Sequence, residues 1–418
     1  MEVPETTVDS RRSRRDTDDI KLKEKLRLAM EKGDKKAQAS ACDGLAWSYY
    51  HKRDYEESKK YGQNLLNISK EVEDETLEAS AHSVLAWSYK EDQEFTKSEK
   101  HGNELLRISV RLKNKEQEAS AYHVLAWSYF HNKDYERSQT VGKKFKNVSE
   151  KLGEKKLVAN ACDVLAWSYY KDGNYELCEE YGKKVLRISK ELGDRELEAY
   201  GCDILSWLCY DTGDYEKSKA YGQELLKIGK ELGDKKQEAQ ACDILAWSYY
   251  DTGDFEKSKK YGQELLSISE KLDAKEKKAQ AYGVLAKSYY KGTDYEQSKT
   301  YGLKYLSISQ ELEEREQEAK AYELLTQLYY EEKDYEQSKT YCKELLTINK
   351  ELRNKKLLAK ACNFLARLNS ELEKFEQNKQ SSEKSLSIAK RVKEKNLEAE
   401  ACGGTGKNIF EKLVFLFA

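Results

Sequence analysis

The six tryptophans of this chain are spaced 40 residues apart, at Trp47, Trp87, Trp127, Trp167, Trp207 and Trp247. The motif around the first, Leu-Ala-Trp-Ser-Tyr-Tyr at 45–50, returns at 165–170 and 245–250 and continues without tryptophan at 285–290. A fixed period of about 20–50 residues is typical of arrays in which each unit packs on its neighbours. We therefore predict nine 40-residue repeats over 39–398, of which the last three lack the tryptophan.

Composition favours helices over strands within each repeat. The chain has one proline, Pro4, which lies outside the predicted repeats, and 36% of its residues are charged. Lys, Glu, Leu, Ala and Ser dominate, which suits long helices. We predict an all-α fold, an α-solenoid of antiparallel helix pairs, because neither helix of a pair can bury its apolar stripe alone.

The helix boundaries are visible in the repeat 199–238. Gly193 is suited to end one helix in a left-handed conformation, and Asp194 is suited to cap the next. Asp214 is a second cap, after which apolar residues follow helical spacing to about residue 232. We expect the same helix-ending residue and helix cap at Gly153-Glu154.

The helix pair resembles the tetratricopeptide repeat. On the first helix, the pattern of a large residue, Leu, a small residue and Tyr corresponds to Cys42, Leu45, Ala46 and Tyr49. The Gly-Asp-Tyr turn is Gly213-Asp214-Tyr215, and the small residue of the second helix is Ser58, Ser218 or Ser258. The second helix closes with Leu-x-Ile, as in Leu66-Asn67-Ile68 and Leu226-Lys227-Ile228. The 40-residue period with a Leu-Gly-Asp linker resembles most the LGN/Pins group of G-protein signalling modulators. The resemblance implies a right-handed superhelix whose first helices line a concave groove that binds proteins.

Two departures from the tetratricopeptide pattern concern the second helix. Serine stands where the family has alanine, at Ser58 and its equivalents. Glycine stands where an aromatic residue is usual, at Gly62, Gly222 and Gly262, and the aromatic residue comes one place earlier. We attribute the glycine to a close approach of neighbouring helices.

A helical wheel of the first helix separates two faces. Cys42, Leu45, Ala46 and Tyr49 form the packing face, and the tryptophan lies on a second face that the resemblance places in the groove. The predicted groove residues are Trp47, Trp87, Trp127, Trp167, Trp207, Trp247, Asp43, Asp163, Asp203, Asp243, Tyr50, Phe130, Tyr170, Tyr210 and Tyr250. Lys90 interrupts the aromatic row, and Lys287, Gln327 and Arg367 replace the tryptophan in the last three repeats.

The tryptophans have two compatible interpretations, packing at the floor of the groove and anchoring of a partner. Aromatic faces bordered by Asp favour a peptide or extended protein segment that carries Lys or Arg with apolar residues. We therefore predict a protein-binding scaffold or adaptor. One alternative is a self-associating structural array without a dedicated ligand. Another is stacking of nucleic-acid bases on the tryptophans, but the net charge of −2 and the Asp row weigh against it.

No pattern for catalysis, a metal or a cofactor is present in the sequence. The five histidines, among them His123 and His131, lack a metal-ligand spacing, and no nucleophile motif occurs. Six of the nine cysteines recur at the Cys42 position, which indicates half-buried packing on stacked helices rather than disulfides. Reduced cysteines, no signal core and no apolar run of about 18 residues suggest a cytoplasmic chain without a membrane span.

The ends differ from the repeats. We expect residues 1–16 to be a disordered polar tail and 17–38 to form an N-terminal capping helix that starts at Thr17 and covers the first repeat with Ile20, Leu22, Leu26 and Leu28. Residues 399–418 are expected to be a short tail or a truncated repeat. Its Gly-Gly-Thr-Gly-Lys-Asn segment at 403–408 fails as a phosphate loop, because the spacing and the hydroxyl residue are wrong.

Overall fold

A computed structural model describes residues 6–371 and positions 380, 382–384 and 386–387, with side chains from Asp19 onward. This part contains eighteen α-helices and no β-strand. The helices are α1 (Thr6–Glu31), α2 (Lys35–His51), α3 (Tyr55–Glu71), α4 (Glu75–Glu91), α5 (Phe95–Arg111), α6 (Lys115–His131), α7 (Tyr135–Leu152), α8 (Lys155–Lys171), α9 (Tyr175–Leu192), α10 (Arg195–Asp211), α11 (Tyr215–Leu232), α12 (Lys235–Asp251), α13 (Phe255–Lys271), α14 (Lys275–Lys291), α15 (Tyr295–Glu311), α16 (Arg315–Glu331), α17 (Tyr335–Glu351) and α18 (Lys355–Glu371). The predicted tail 399–418 lies outside the described residues.

The chain divides into two compact halves, an N-terminal half (1–208) and a C-terminal half (209–418), with the boundary inside α10. The even-numbered helices from α2 to α18 are the first helices of the repeats, and the odd-numbered helices from α3 to α17 are the second helices. Each first helix begins about four residues before its 40-residue repeat as numbered above, for example at Lys35 for the repeat that starts at residue 39.

A left-handed residue stands in every turn between these helices, at intervals of 20 residues from Gly33 to Arg353. Seven of these residues are glycine and ten are not, so the turn tolerates a side chain at some energetic cost. The next residue usually caps the following helix: Asp194 Oδ1 accepts the Leu197 N–H at 3.1 Å, as predicted. Glu154, predicted to act in the same way, makes no side-chain capping bond, because its side chain is one methylene longer.

Within each half most of the consecutive first helices contact each other. In the N-terminal half α2 contacts α4, α4 contacts α6 and α6 contacts α8; in the C-terminal half α12 contacts α14 and α14 contacts α16. Second helices do not make comparable contacts with each other in the described part of the chain. The first helices are therefore closer together than the second helices, which places the first helices on the inner side of each half.

Glycine on the second helix allows close packing against the next repeat, as predicted. A Cβ atom at Gly62 would lie 3.0 Å from Leu85 Cδ2, and one at Gly102 would lie 2.9 Å from Leu125 Cδ2. Leu85 and Leu125 are buried and cannot easily move. The close approach explains why the aromatic residue of the family pattern is displaced by one position.

Buried serines join helices at five of the repeat junctions. Ser58 Oγ on α3 lies 2.8 Å from the Ala46 carbonyl oxygen of α2 and 2.7 Å from Ser88 Oγ of α4. Ser88 Oγ also lies 2.7 Å from the Val84 carbonyl oxygen. The junction at Ser258 and Ser288 has the same geometry in the C-terminal half. This bonding explains the serine that replaces the family's alanine, since a buried hydroxyl needs such partners.

The first helix covers the edge of the first repeat, but its start and its contacts differ from the expectation. It begins at Thr6, so residues 6–16 are helical rather than the expected polar tail; they contain neither proline nor glycine to stop a helix. Leu22 lies against Gly44, and Leu26 packs on a buried cluster that includes Leu65. Ile20 is 69% exposed, because it points away from α2.

Candidate binding surface on the first helices

The six tryptophans, hereafter the Trp face, are all half-buried. Most of them contact the aromatic residue three positions later edge-to-face; the centroid distances are 5.5 Å for Trp47–Tyr50, 5.4 Å for Trp127–Phe130, 5.7 Å for Trp167–Tyr170 and 5.8 Å for Trp247–Tyr250. This geometry is a favourable one for aromatic pairs. Each indole therefore packs in the protein and keeps part of its surface accessible.

The remaining predicted aromatic residues have similar burial. Tyr210 and Tyr250 are half-buried, and the Tyr210 hydroxyl donates a hydrogen bond to Asp251. Burial and Asp251 raise the pKa of Tyr210 above its ordinary value. These phenols are therefore neutral hydrogen-bonding and packing groups.

Two lysines of the chain itself lie on the Trp face. Lys90 Nζ is 5.6 Å from the Trp87 ring centroid and 5.9 Å from that of Trp127. Lys287 Nζ is 5.0 Å from the Trp247 ring centroid, and burial lowers the pKa of Lys287. Ammonium groups at these distances are attracted by the aromatic quadrupole. In each half, the Trp face therefore already has a lysine ammonium group beside an indole ring.

A histidine that the sequence did not single out as a site residue lies between two tryptophans of the N-terminal half. The Trp127 indole N–H donates to His123 Nε2 at 3.3 Å, and Trp87 meets the imidazole edge-to-face at 4.9 Å. Burial, followed by the charge of Lys90, lowers the pKa of His123 to about 3. His123 is thus neutral near pH 7. His123 lies 80 residues, or two repeats, after Asp43 and so occupies the same repeat position as the predicted aspartates. This equivalence was the sequence signal that could have identified it.

The four predicted aspartates do not form one solvent-exposed row. Asp43 is half-buried and accepts a hydrogen bond from Ser80 Oγ at 2.7 Å. Asp163, Asp203 and Asp243 are 7%, 6% and 1% exposed. The charge state of each carboxyl group therefore depends on the groups that surround it.

Asp163 is a predicted aspartate whose environment raises its pKa strongly. Its Oδ1 atom is buried and has no hydrogen-bond partner in the described part of the chain. Burial, and then the charge of Asp203, raises the pKa of Asp163 to about 8, with Lys90 opposing the shift. Asp243 differs, because Lys277 Nζ approaches its Oδ2 at 3.3 Å and partly offsets the rise in its pKa caused by burial.

The cysteines at the Cys42 position pack more deeply than predicted. Cys42, Cys162 and Cys242 are at most 1% exposed, and the described cysteines are free thiols. Burial raises the pKa of Cys42 to about 11. This position faces the second helix of its own repeat, and Cys42 belongs to the same buried cluster as Leu65 and Leu66. These thiols belong to the core and not to a reactive site.

Two other kinds of site are absent from the described residues. No group of three or more His, Cys, Asp or Glu side chains there is arranged to hold a metal ion. No helix there is both long enough and apolar enough to cross a bilayer.

Comparison with known proteins supports the repeat assignment. Residues 239–272 and 319–352 match the tetratricopeptide repeat family. No curated protein sequence matches the chain.

Solved structures share the fold at low sequence identity. Apo RapI is 12% identical with a TM-score of 0.61 and covers 86% of this chain and 99% of its own. The quorum sensor NprR from B. thuringiensis is 16% identical with a TM-score of 0.61, and covers 84% and 98%. A signal-transduction ATPase with a tetratricopeptide repeat sensor from Pyrococcus horikoshii is 21% identical with a TM-score of 0.55; the match covers 70% of this chain but only 45% of that one. The chain is thus an all-α solenoid, and two of its repeats match the tetratricopeptide repeat family.

Proposed function

We propose that the chain is a protein-binding scaffold that holds an extended protein segment on the tryptophans of the first helices within a half. The observation that carries the proposal is the half-burial of all six tryptophans at one position of successive first helices. An indole that is both fixed by packing and partly accessible is a favoured anchor at protein interfaces. The first helices form the inner layer of each half, which suits an extended partner.

The bound segment is proposed to carry Lys or Arg among apolar residues. Lys90 and Lys287 contact the tryptophans as a partner's ammonium groups would. Asp163 adds a buried carboxyl oxygen without a partner, which a cation could pair. A fixed cation near Asp163 would favour its ionised form, so binding of a basic segment should release a proton near pH 7.

Two features of related proteins are consistent with this role. A Rap protein of similar fold is known in complex with competence and sporulation factor, at 15% identity and a TM-score of 0.56. The resemblance to the LGN/Pins group further suggests an adaptor in signalling in the cytoplasm. The tryptophans replace the asparagine by which that group holds a peptide backbone, so we do not transfer that group's ligands.

The test is selection of peptides from a displayed random library on the purified chain, followed by affinity measurement. The matched variant is Trp127→Gln with Trp167→Gln, because repeat eight carries Gln327 at this position and shows that the fold accepts it. The control is Val110→Ala with Leu192→Ala, which removes exposed apolar side chains from second helices. We expect selected peptides to be basic and apolar, and the tryptophan variant to bind them at least about tenfold more weakly.

Equal binding by the tryptophan variant and the control, with unchanged circular dichroism, would refute the proposal. Light scattering on the same samples addresses the structural alternative. A mass that rises with protein concentration in the absence of peptide, and loss of that rise in the tryptophan variant, would favour self-association through the Trp face.

A further inference from the structure

A cavity of about 570 Å³ lies between the first helices α16 and α18, with α17 as its floor. Leu345 and Asn349 of α17 line its depth, and Phe364 of α18 lines a wall. A volume of this size is in the range of pockets that hold small ligands or a few residues of a peptide. The cavity lies within the C-terminal half and does not include any residue of the Trp face.

The cavity exists where the repeat pattern is broken. The tryptophan position is occupied by Gln327 in α16 and by Arg367 in α18, and both residues line the cavity. A smaller or more extended side chain at this position leaves the space between consecutive first helices unfilled. The loss of tryptophan after the sixth repeat therefore has a structural consequence at this place.

Asn349 is the feature that points to a ligand. It is 1% exposed, and neither its Oδ1 nor its Nδ2 atom has a hydrogen-bond partner in the described part of the chain. The equivalent residue one repeat earlier, Ser309, satisfies its hydroxyl within its own helix by donating to the Tyr305 carbonyl oxygen at 2.7 Å. A buried amide whose two polar atoms are both unpaired is destabilising. Its hydrogen-bonding groups are satisfied when a ligand or water enters the cavity.

The rim of the cavity is predominantly basic. Lys320, Lys360 and Arg367 line it and are exposed, whereas Glu323 is the single carboxylate among the lining residues. The Arg367 guanidinium lies 5.3 Å from the Phe364 ring centroid, so it occupies a face of that ring. The rim therefore favours an anionic group, and Phe364 is less available for stacking a nucleotide base.

We propose that the cavity between α16 and α18 binds an acidic peptide segment through a carboxamide side chain paired with Asn349. The carboxamide of Asn or Gln carries a donor and an acceptor side by side and so satisfies both unpaired atoms of Asn349. Flanking carboxylates of the segment pair with Lys320, Lys360 and Arg367. The ligand chemistry is opposite in charge to that proposed for the Trp face, and the two proposals stand independently.

The test uses the full chain and a pool of fluorescein-labelled octapeptides with a central Gln or Asn flanked by Asp, Glu and Leu. Binding is measured by fluorescence anisotropy, with a second pool that has a central Leu and a third that has Lys in place of the acidic residues. We expect the acidic carboxamide pool to bind at least about tenfold more tightly than either other pool, and its binding to weaken as salt rises.

Four variants separate the cavity from general charge effects and from the Trp face. Asn349→Ser introduces the residue of the preceding repeat, and Lys360→Glu reverses one rim charge; each should weaken binding of the acidic carboxamide pool at least tenfold. Lys343→Glu changes an exposed lysine of α17 outside the cavity and should change binding less than twofold. Trp127→Gln with Trp167→Gln should also leave this binding unchanged, so failure here is distinguishable from failure of the Trp face.

Circular dichroism accompanies each variant. The proposal is overturned if the acidic carboxamide pool does not bind the folded wild-type chain, or if folded Asn349→Ser binds it as the wild type does. It is also overturned if ATP binds the wild type and displaces the pool at equal or lower concentration, since the cavity would then be a nucleotide site.

Discussion

Replacing Asp163 by Asn should remove a pH-dependent destabilisation of the folded chain. Asp163 is 7% exposed and its Oδ1 has no partner, so its charged form is poorly solvated. Burial and Asp203 raise the pKa of Asp163 from 3.8 to about 8. Asn has nearly the same shape without a charge, and Asn363 occupies the equivalent position of the ninth repeat, so the fold accommodates it.

The sign of the effect follows from proton binding. Between the unfolded pKa of 3.8 and the folded pKa of about 8, the folded state holds a proton that the unfolded state has lost. The contribution of Asp163 to the free energy of unfolding therefore falls as pH rises through this interval and becomes level above it. Since each pKa unit corresponds to about 1.4 kcal/mol, the wild type should lose on the order of 3 kcal/mol between about pH 5.5 and about pH 8 through this group.

The assay is urea unfolding followed by tryptophan fluorescence, at pH 5.5 and pH 8.5, for the wild type and Asp163→Asn. Because the buried histidines respond to the same pH change in both proteins, the comparison isolates Asp163, and we expect the wild-type midpoint to move down relative to that of the Asn variant on going from pH 5.5 to pH 8.5. The variant should be more stable than the wild type at pH 8.5. Parallel pH dependences of the two proteins, or a wild type that becomes more stable at pH 8.5 while the variant does not, would refute the reasoning about Asp163.

Three further changes test the packing of the repeats by urea unfolding. Thr293→Gly should stabilise the chain by about 1 kcal/mol, because a β-branched residue is strained at φ 62; unchanged stability would mean that the turn is not strained. Ser58→Ala and Ser88→Ala should each cost about 1 kcal/mol, and the double variant should cost less than the sum, because two hydroxyl protons serve three contacts; strict additivity would contradict the shared bonding. Gly102→Ala should destabilise by about 1 kcal/mol net, since overpacking against Leu125 outweighs the gain in helix propensity, and a more stable variant would show that Leu125 can move.

The sequence alone determined the local structure. The 40-residue period, the Gly-Asp pairs and the apolar spacing predicted the helix pairs, the turn at Gly193-Asp194 and the packing face of Cys42 and Leu45. These features depend on residues close in the chain, or on a contact that every repeat makes in the same way. For that reason the close approach at Gly62 was also predictable before its partner Leu85 was known.

The tertiary structure decided the chemistry of individual positions. The same aspartate slot gives a hydrogen bond to Ser80 at Asp43 and a partner-free oxygen at Asp163. Nor did the period indicate that Lys90 lies against Trp127 or that Asn349 faces a cavity. A repeat fixes where a side chain is placed, but its burial and charge depend on which residue the neighbouring repeat brings to it. Those neighbours lie about 40 residues away and vary from one repeat to the next, so only the packed structure identifies them.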